Sequence, residues 1–308
     1  MSNRVQDARE LVIAQRRTGK LLQIGLQRRS NPRYIHAIDN VIKRHNVLGE
    51  ITHGYAQWNR NVAPFLSVRS RLLMQTETLE KYGYETMEHF LNWRWFTKYG
   101  GGPMISLGPH QLDVFMWAFD CAPSSVMASG GNEYYDRQAN DSVMAVYEFK
   151  TKEGKVKRVN YQVLSTTSRD GFYEQFMGID GVLKVSELAR FGNYAWPEFR
   201  EDGPGIRGWM RHHQSGVFTG SPILEVGFTK YLCEKHMRIT ESRLSGNSTQ
   251  QPHVPHLENY FRAVRHGTPL SSPAEVGYRA TVAALAVNRA IKERKTIDFK
   301  PEDFEVKF

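Results

Sequence analysis

The segment Gly100–Phe115, GGGPMISLGPHQLDVF, carries the clearest structural and chemical signal in the chain. Three glycines and a proline predict a tight turn, and the apolar residues after it predict a buried helix. His110 and Asp113 are three positions apart, so both project from the same side of the first turns of this helix. Imidazole titrates near neutrality, so the pair predicts an acid/base site. Asp113 either orients His110 or bonds to backbone, and a packing role for His110 is the alternative.

Composition narrows the class of protein around this segment. The chain has 308 residues, 40 % of them hydrophobic and 24 % charged, which is ordinary for a globular protein. Its apolar runs are too short to span a bilayer, and its charged N-terminus is unlike a signal peptide, so we expect a cytoplasmic protein without a membrane partner. The net charge is +9, but the basic residues are spread in short groups. This favours a solvated surface or a pocket for anionic or polyhydroxyl ligands over nucleic-acid binding.

The residues before the glycine turn predict a short helix–strand–helix lead-in. A helix is expected over Val5–Thr18, ended by Gly19, and the apolar run Leu21–Leu26 predicts a buried strand. Pro32 opens a second helix, and the residues from Ile51 to Trp58 predict another strand.

The residues after the glycine turn predict a sheet. Five short segments with strand character follow one another between residues 124 and 187, with no helix between them. Consecutive strands indicate antiparallel pairing. Two helices and an extended tail close the chain. The predicted fold is α+β, with an open, mainly antiparallel sheet that carries helices on one face.

A literal G-x-G-x-x-G occurs at Gly203, Gly205 and Gly208. A dinucleotide site needs a buried strand before these glycines and a helix after them. The preceding residues are PEFRED, Pro204 removes an amide, and the following WMRHHQSG is a poor helix former. We therefore assign no cofactor-binding residues to this motif.

Two tryptophans have polar neighbours that suit a sugar site. Trp58 precedes Asn59, and Trp93 precedes Arg94. Aromatic faces beside amide and guanidinium donors can stack on and hydrogen-bond to sugar rings. Core packing of both tryptophans is the alternative.

Other candidates lie at the two ends of the chain. Arg28 and Tyr34 belong to the loop and helix start after the expected strand, where ligands often bind in open α/β sheets. His253 and His256 have H-x-x-H spacing just before a helix. No third ligand is clustered with them, so we predict no metal site, and a polar pocket wall or a helix cap fits them better.

Together these residues resemble the Gfo/Idh/MocA oxidoreductases, the glucose–fructose oxidoreductase and inositol dehydrogenase family, through nearly all of the chain. LLQIGLQRRSNPRY resembles the last strand of that family's nucleotide domain and the loop leaving it. GGGPMISLGPHQLDVFMW resembles the glycine-rich active-site helix, and PHLENYFRAVRHGTPLSSPAEVGYRAT the closing helices. The resemblance implies hydride transfer between NAD or NADP and a sugar or polyol carbon, and homo-oligomerisation through the open sheet face.

The resemblance also implies roles for single residues. His110 is the candidate acid/base catalyst. The family usually has an acidic residue four positions before this histidine, where the chain has Ser106. The implied substrate-binding residues are Arg28, Tyr34, Trp58, Asn59, Trp93, Arg94, Asp113 and His256.

The resemblance places most of the nucleotide domain, with its catalytic lysine, before residue 1. Residues 1–31 are then a remnant of that domain, and residues 32–308 form the substrate-binding and oligomerisation domain. We expect this chain alone not to bind NAD or NADP. Three functions stay open: a truncated sugar dehydrogenase, a nicotinamide-independent sugar lyase, epimerase or hydrolase, and a non-catalytic sugar-binding or partner subunit.

Overall fold

The computed structural model describes residues 1–61, 65–198, 200–229, 232–244 and 251–307. A π-helical segment, His36–Arg44, continues the short helix Pro32–Ile35. A 3-10 turn, Gln27–Ser30, precedes that helix. Among these residues, no helix is both long and apolar enough to cross a membrane. The α-helices are α1 (Val5–Thr18), α2 (Pro32–Ile35), α3 (Thr76–Lys81), α4 (Met87–Leu91), α5 (Gly102–Phe119), α6 (Gly205–Gln214), α7 (His253–His266) and α8 (Ala274–Glu293).

The described strands form a single open sheet in the order β10-β2-β3-β4-β1-β5-β6-β7-β9-β8. Every neighbouring pair is antiparallel except β1 and β4, which are parallel. The predicted α+β fold with a mainly antiparallel sheet is therefore confirmed. The strands are β1 (Ile51–Asn59), β2 (Ser125–Gly131), β3 (Ser142–Lys150), β4 (Val156–Leu164), β5 (Phe172–Gly178), β6 (Gly181–Val185), β7 (Tyr194–Pro197), β8 (Phe218–Thr229), β9 (Leu232–Leu244) and β10 (Ile297–Asp298).

Helix α5 crosses over between β1 and β2 and returns the chain to the same end of the sheet. Strand β2 therefore runs parallel to β1, and the hairpins β2–β3 and β3–β4 bring β4 beside β1 in the same direction. This is the physical reason for the one parallel pair, which the run of consecutive strands did not predict.

The helices pack on one face of the sheet, as predicted. Phe115 of α5 lies against Gly54 of β1, and its ring centroid is 5.0 Å from that of Phe176 on β5. The Tyr147 hydroxyl of β3 donates to the Ala283 carbonyl of α8 at 3.0 Å. Alternate residues of the strands are buried on this inner face, and the residues between them form an outer face with no helix of the described chain against it.

The glycine turn adopts the conformation that its sequence predicts. Gly101 and Gly102 have φ of 89° and 85°, in the left-handed region that side chains disfavour. A Cβ at Gly100 would lie 2.7 Å from the backbone of Arg94. His110, however, lies eight residues beyond the first helical residue, about 12 Å along the axis. The prediction that it sits in the first turns of the helix was wrong.

Two other local predictions were wrong. Leu21–Leu26 forms no strand and makes only an isolated bridge, Gln23 to Pro273, because no described strand runs beside it. The WMRHHQSG segment, expected to be a poor helix, lies mostly within α6. Trp209 of α6 is buried and stacks on Phe218 at 5.3 Å, so tertiary packing outweighs the weak local propensity.

Candidate functional site

A buried ion pair forms the floor of the candidate site. Arg28, in the 3-10 turn before α2, donates from Nη1 to Glu174 Oε1 at 2.5 Å. The Tyr34 hydroxyl of α2 donates to the other oxygen of Glu174 at 2.6 Å. Glu174 lies opposite Ala56 on the inner face of the sheet, and all three side chains are almost completely buried. The geometry pairs the charges, but Arg28 Nε and Nη2 have no hydrogen-bond partner within the described part of the chain.

An indole–imidazole pair lies above this floor. The ring centroids of Trp58 and His110 are 5.9 Å apart, and Trp58 also stacks on Phe172 at 4.7 Å. The Arg28 guanidinium carbon is 5.1 Å from the Trp58 ring centroid. Four predicted residues, Arg28, Tyr34, Trp58 and His110, are thus brought together by β1, α2, α5 and the turn before α2.

Several polar atoms of this region have no hydrogen-bond partner among the residues that the structure describes. Trp58 Nε1, His110 Nδ1 and Tyr161 Oη are sealed from solvent without a hydrogen bond. Such atoms are rare in folded proteins and call for an explanation, because an unmade buried hydrogen bond is costly. Their concentration around one histidine is what a ligand site with unused donors and acceptors would show.

The surroundings of His110 keep its ring neutral. Burial, and after it the positive charge of Arg28, lower the pKa of His110 to about 3. At neutral pH the imidazole is therefore uncharged. The residue is partly buried, and its Nδ1 is sealed from solvent.

Asp113 does not orient His110. Its carboxylate is held in two parallel bonds by Arg29, whose Nε and Nη2 each lie 2.8 Å from one of its oxygens. Burial raises the pKa of Asp113, and the bond to Arg29 opposes that effect. The two acidic oxygens are used by this pair, so the predicted histidine–aspartate relay is replaced by an arginine–aspartate clamp that fixes the turn before α2 to α5.

His256 lies behind the same turn. Its Nδ1 is 3.3 Å from the Ser30 hydroxyl, which also lies 2.6 Å from the Ser271 hydroxyl. Burial lowers the pKa of His256. His253 is exposed. In the part of the chain that the structure describes, no three His, Cys, Asp or Glu side chains are grouped to hold a metal ion.

Three of the predicted residues lie away from the cluster. Asn59 faces the outer side of the sheet, where its amide donates to the Arg169 carbonyl and accepts from Gln162, both at 3.0 Å. Arg94 stacks on Trp93 at 4.4 Å in the turn before α5. That pair makes no hydrogen bond, ion pair or ring contact with the cluster among the described residues.

Sequence reasoning missed Glu174. A signal was available, because Phe172, Glu174 and Phe176 alternate along β5 and share its inner face. An acidic residue at an inward position of a buried strand needs a cationic partner. Glu187, whose Oε2 lies 3.7 Å from Arg28 Nη2, was missed as well. No comparable alternation in the sequence marks it.

Replacing Ser106 by aspartate is expected to raise the pKa of His110. The two residues are one helical turn apart, and a carboxylate near an imidazole favours its charged form, by about 1 to 3 in pKa. An NMR pH titration of the His110 ring measures this. Ser106→Asn is the matched uncharged control, and equal midpoints in the two variants would contradict the expectation.

The described residues do not fit a dinucleotide. Strand β7 ends at Pro197, and an irregular segment separates it from Gly203. A Cβ at Gly208 would collide with Pro204, so this glycine serves the packing of its own turn. No buried strand leads directly into a glycine turn and a helix elsewhere in residues 1–61, 65–198, 200–229, 232–244 and 251–307, which leaves the pyrophosphate without a cradle there.

Comparison with known proteins gives one family match. The model described as "Oxidoreductase family, C-terminal alpha/beta domain", of the Gfo/Idh/MocA group, matches residues 72–299. No curated protein sequence matches the chain.

Solved structures share the fold at low sequence identity. Aldose-aldose oxidoreductase from Caulobacter crescentus, complexed with glycerol, is 14 % identical with a TM-score of 0.62, over 96 % of this chain and 69 % of that one. An NAD binding oxidoreductase from Klebsiella pneumoniae is 15 % identical with a TM-score of 0.62, over 96 % of this chain and 70 % of that one. The WlbA dehydrogenase from Bordetella pertussis, in complex with NADH and UDP-GlcNAcA, is 14 % identical with a TM-score of 0.58, over 97 % and 70 %.

Proposed function

The chain belongs to the Gfo/Idh/MocA oxidoreductase family, and we propose that it forms the substrate side of the active site of a sugar or polyol oxidoreductase. The observation that carries this proposal is the neutral His110 beside Trp58, above the buried Arg28–Glu174 pair. An aromatic face, a proton acceptor and unused polar atoms are the groups that a polyhydroxyl substrate needs.

In this proposal His110 takes the proton of the hydroxyl on the carbon that is oxidised. In its neutral state one ring nitrogen carries no proton, and Trp58 positions the sugar ring by stacking. Arg28, Tyr34 and Glu174 hold the floor of the site, and Arg29 with Asp113 fixes α5. His256, Asn59, Trp93 and Arg94 remain proposed substrate contacts.

The proposal assigns the hydride acceptor, NAD or NADP, to a separate nucleotide-binding domain, because the described residues fit none. Residues 1–31 would be its last part and residues 32–308 the substrate-binding and oligomerisation domain. The relatives support the substrate class, since one is an aldose-aldose oxidoreductase with glycerol and another a dehydrogenase with NADH and a UDP-sugar.

The test follows the His110 ring by NMR while a panel of aldoses, glycosides and polyols is added. At least one of them is expected to shift the His110 signals and not those of His53, which is exposed on the outer face. If none of the panel moves His110, the proposal fails. Turnover of a bound sugar without NAD or NADP would favour the lyase, epimerase or hydrolase. Binding without turnover under any condition would favour the non-catalytic subunit.

We also propose a homo-oligomer built through the outer face of the sheet. Met127 and Met144 lie on this face and are 46 % and 53 % exposed. Apolar side chains exposed together on an uncovered sheet are typical of an interface. Light scattering is expected to give a dimer or larger assembly that Met144→Lys weakens, and a monomeric wild type would refute this.

A further inference from the structure

Outside the candidate site, one charged group lies against aromatic rings. The Arg137 guanidinium carbon is 4.0 Å from the ring centroid of Trp95 and 4.3 Å from that of Tyr135, with Phe65 at 5.8 Å. We call Trp95, Tyr135 and Arg137 the arginine stack. The Trp95 and Tyr135 rings lie side by side, with centroids 6.4 Å apart, so they do not enclose the guanidinium from opposite faces. The donors of a guanidinium lie in its plane and can bind another partner.

The loop that carries Arg137 is held firmly. The buried carboxylate of Asp141 accepts from the backbone N–H groups of Tyr134 and Tyr135 at 2.9 and 2.8 Å. The Ala139 N–H donates to the Trp95 carbonyl at 3.2 Å, which ties this loop to the turn before α5. The arginine stack is therefore built by two cross-linked segments and does not depend on one mobile side chain.

Arg137 has no counter-ion among the described residues. Its guanidinium makes no salt bridge or side-chain hydrogen bond there, and Nη1 is sealed from solvent without a partner. Asp141, an acidic group whose charge acts on Arg137, accepts hydrogen bonds from backbone N–H groups, and burial lowers the pKa of Arg137. A partly buried cation without a paired anion is unfavourable, and a bound oxyanion would relieve it.

The stack lies next to the helix that carries His110. A Cβ at Gly102, the first residue of α5, would touch Ala139 of the same loop. Gly102 and His110 are about 12 Å apart along the helix, so the stack contacts the N-terminal end of α5, whose middle carries His110. The remaining donors of Arg137 are reachable, because the residue is only half-buried.

We propose that the arginine stack binds the oxyanion of an acidic sugar, a uronate carboxylate or a sugar phosphate. Arg137 would hold the oxyanion through two parallel N–H bonds in the plane of its guanidinium, as arginine does with carboxylates and phosphates. Trp95 and Tyr135 would line the sugar beside it. This inference rests on the proposed sugar activity and specifies the substrate class.

The experiment compares the binding of glucose, glucuronate and glucose 1-phosphate by calorimetry. The wild type is expected to bind one of the two acidic sugars about tenfold more tightly than glucose, and Arg137→Met should remove this preference. The two acidic ligands separate the carboxylate from the phosphate. The matched control is Arg265→Met, which removes an exposed arginine whose guanidinium carbon is 5.9 Å from the Phe261 ring centroid. This variant should keep the preference for the acidic sugar.

Arg137→Lys provides a second test if Arg137→Met does not fold. It keeps the charge and loses the planar fork, so the preference should fall at least threefold. Equal binding of acidic and neutral sugars by the wild type, no binding of either acidic sugar, or an unchanged preference in the Arg137 variants would overturn the inference. Each of these results leaves the His110 test free to succeed, so the two proposals can fail separately.

Discussion

Replacing Glu174 by alanine is expected to lower the free energy of unfolding by about 3–5 kcal/mol. The variant leaves the guanidinium of Arg28 buried without its carboxylate, and it also removes the acceptor of the Tyr34 hydroxyl. Both side chains of the ion pair are 1 % exposed or less, so solvent cannot replace the lost partner. Urea unfolding of the two proteins under the same conditions measures the difference.

Glu148→Ala is the matched control, because it breaks an ion pair with Arg158 of similar length, 3.1 Å, that solvent reaches. It should cost about 1 kcal/mol or less. The double variant Arg28→Met with Glu174→Leu should recover most of the stability, since an apolar pair replaces two buried charges. If Glu174→Ala were as mild as the control, the buried pair would have no structural role.

His110→Gln is expected to reduce kcat/KM for the sugar substrate by about 10²- to 10⁴-fold, the usual contribution of a proton-transfer group. Glutamine keeps hydrogen-bonding capacity and cannot take up a proton. The measurement is the steady-state rate of sugar oxidation with NAD or NADP by an enzyme that also contains the nucleotide-binding domain of the proposed function. His53→Gln, on the exposed outer face, should match the wild type. Equal rates for the wild type and His110→Gln would remove His110 from the chemistry.

The same variant has a second readout that needs no activity. The pKa of His110 is lowered from 6.5 to about 3 in the folded protein, so between these values the unfolded chain binds a proton that the native chain does not. The contribution of His110 is therefore fully present above pH 6.5 and is lost as the pH falls toward 3. As the pH falls from 6.5 toward 3, urea unfolding should show a smaller loss of the free energy of unfolding for His110→Gln than for the wild type.

The sequence was sufficient for the fold class because its signals were local. The five segments with strand character between residues 124 and 187 predicted β2 to β6, and the glycines before α5 predicted the turn. The parallel contact of β1 with β4 depends on a helical crossover, which no local pattern shows. Leu21–Leu26 was wrongly predicted as a strand, because an apolar run looks the same in sequence whether it pairs in a sheet or packs as an irregular segment.

The candidate site was predicted only in part. Single residues with distinctive chemistry, such as His110, Trp58 and Arg28, were selected from the sequence, and the structure brings them together. Which partner each arginine takes was not predictable, since Arg29 and Asp113 are 84 positions apart and Arg28 and Glu174 are 146 positions apart. Pairings at such distances are decided by the topology of the sheet and by burial, which leave no trace in neighbouring residues.

The parallel contact between β1 and β4 also affects the order of folding. It joins positions such as His53 and Arg158, roughly one hundred residues apart, and such distant pairings form slowly because a long loop must close first. Trp58 lies on β1 and Glu174 on the next strand, so neither reaches its place before this closure. We expect local helices and the β3–β4 hairpin to form early, and the cluster around His110 to form in the last and slowest phase.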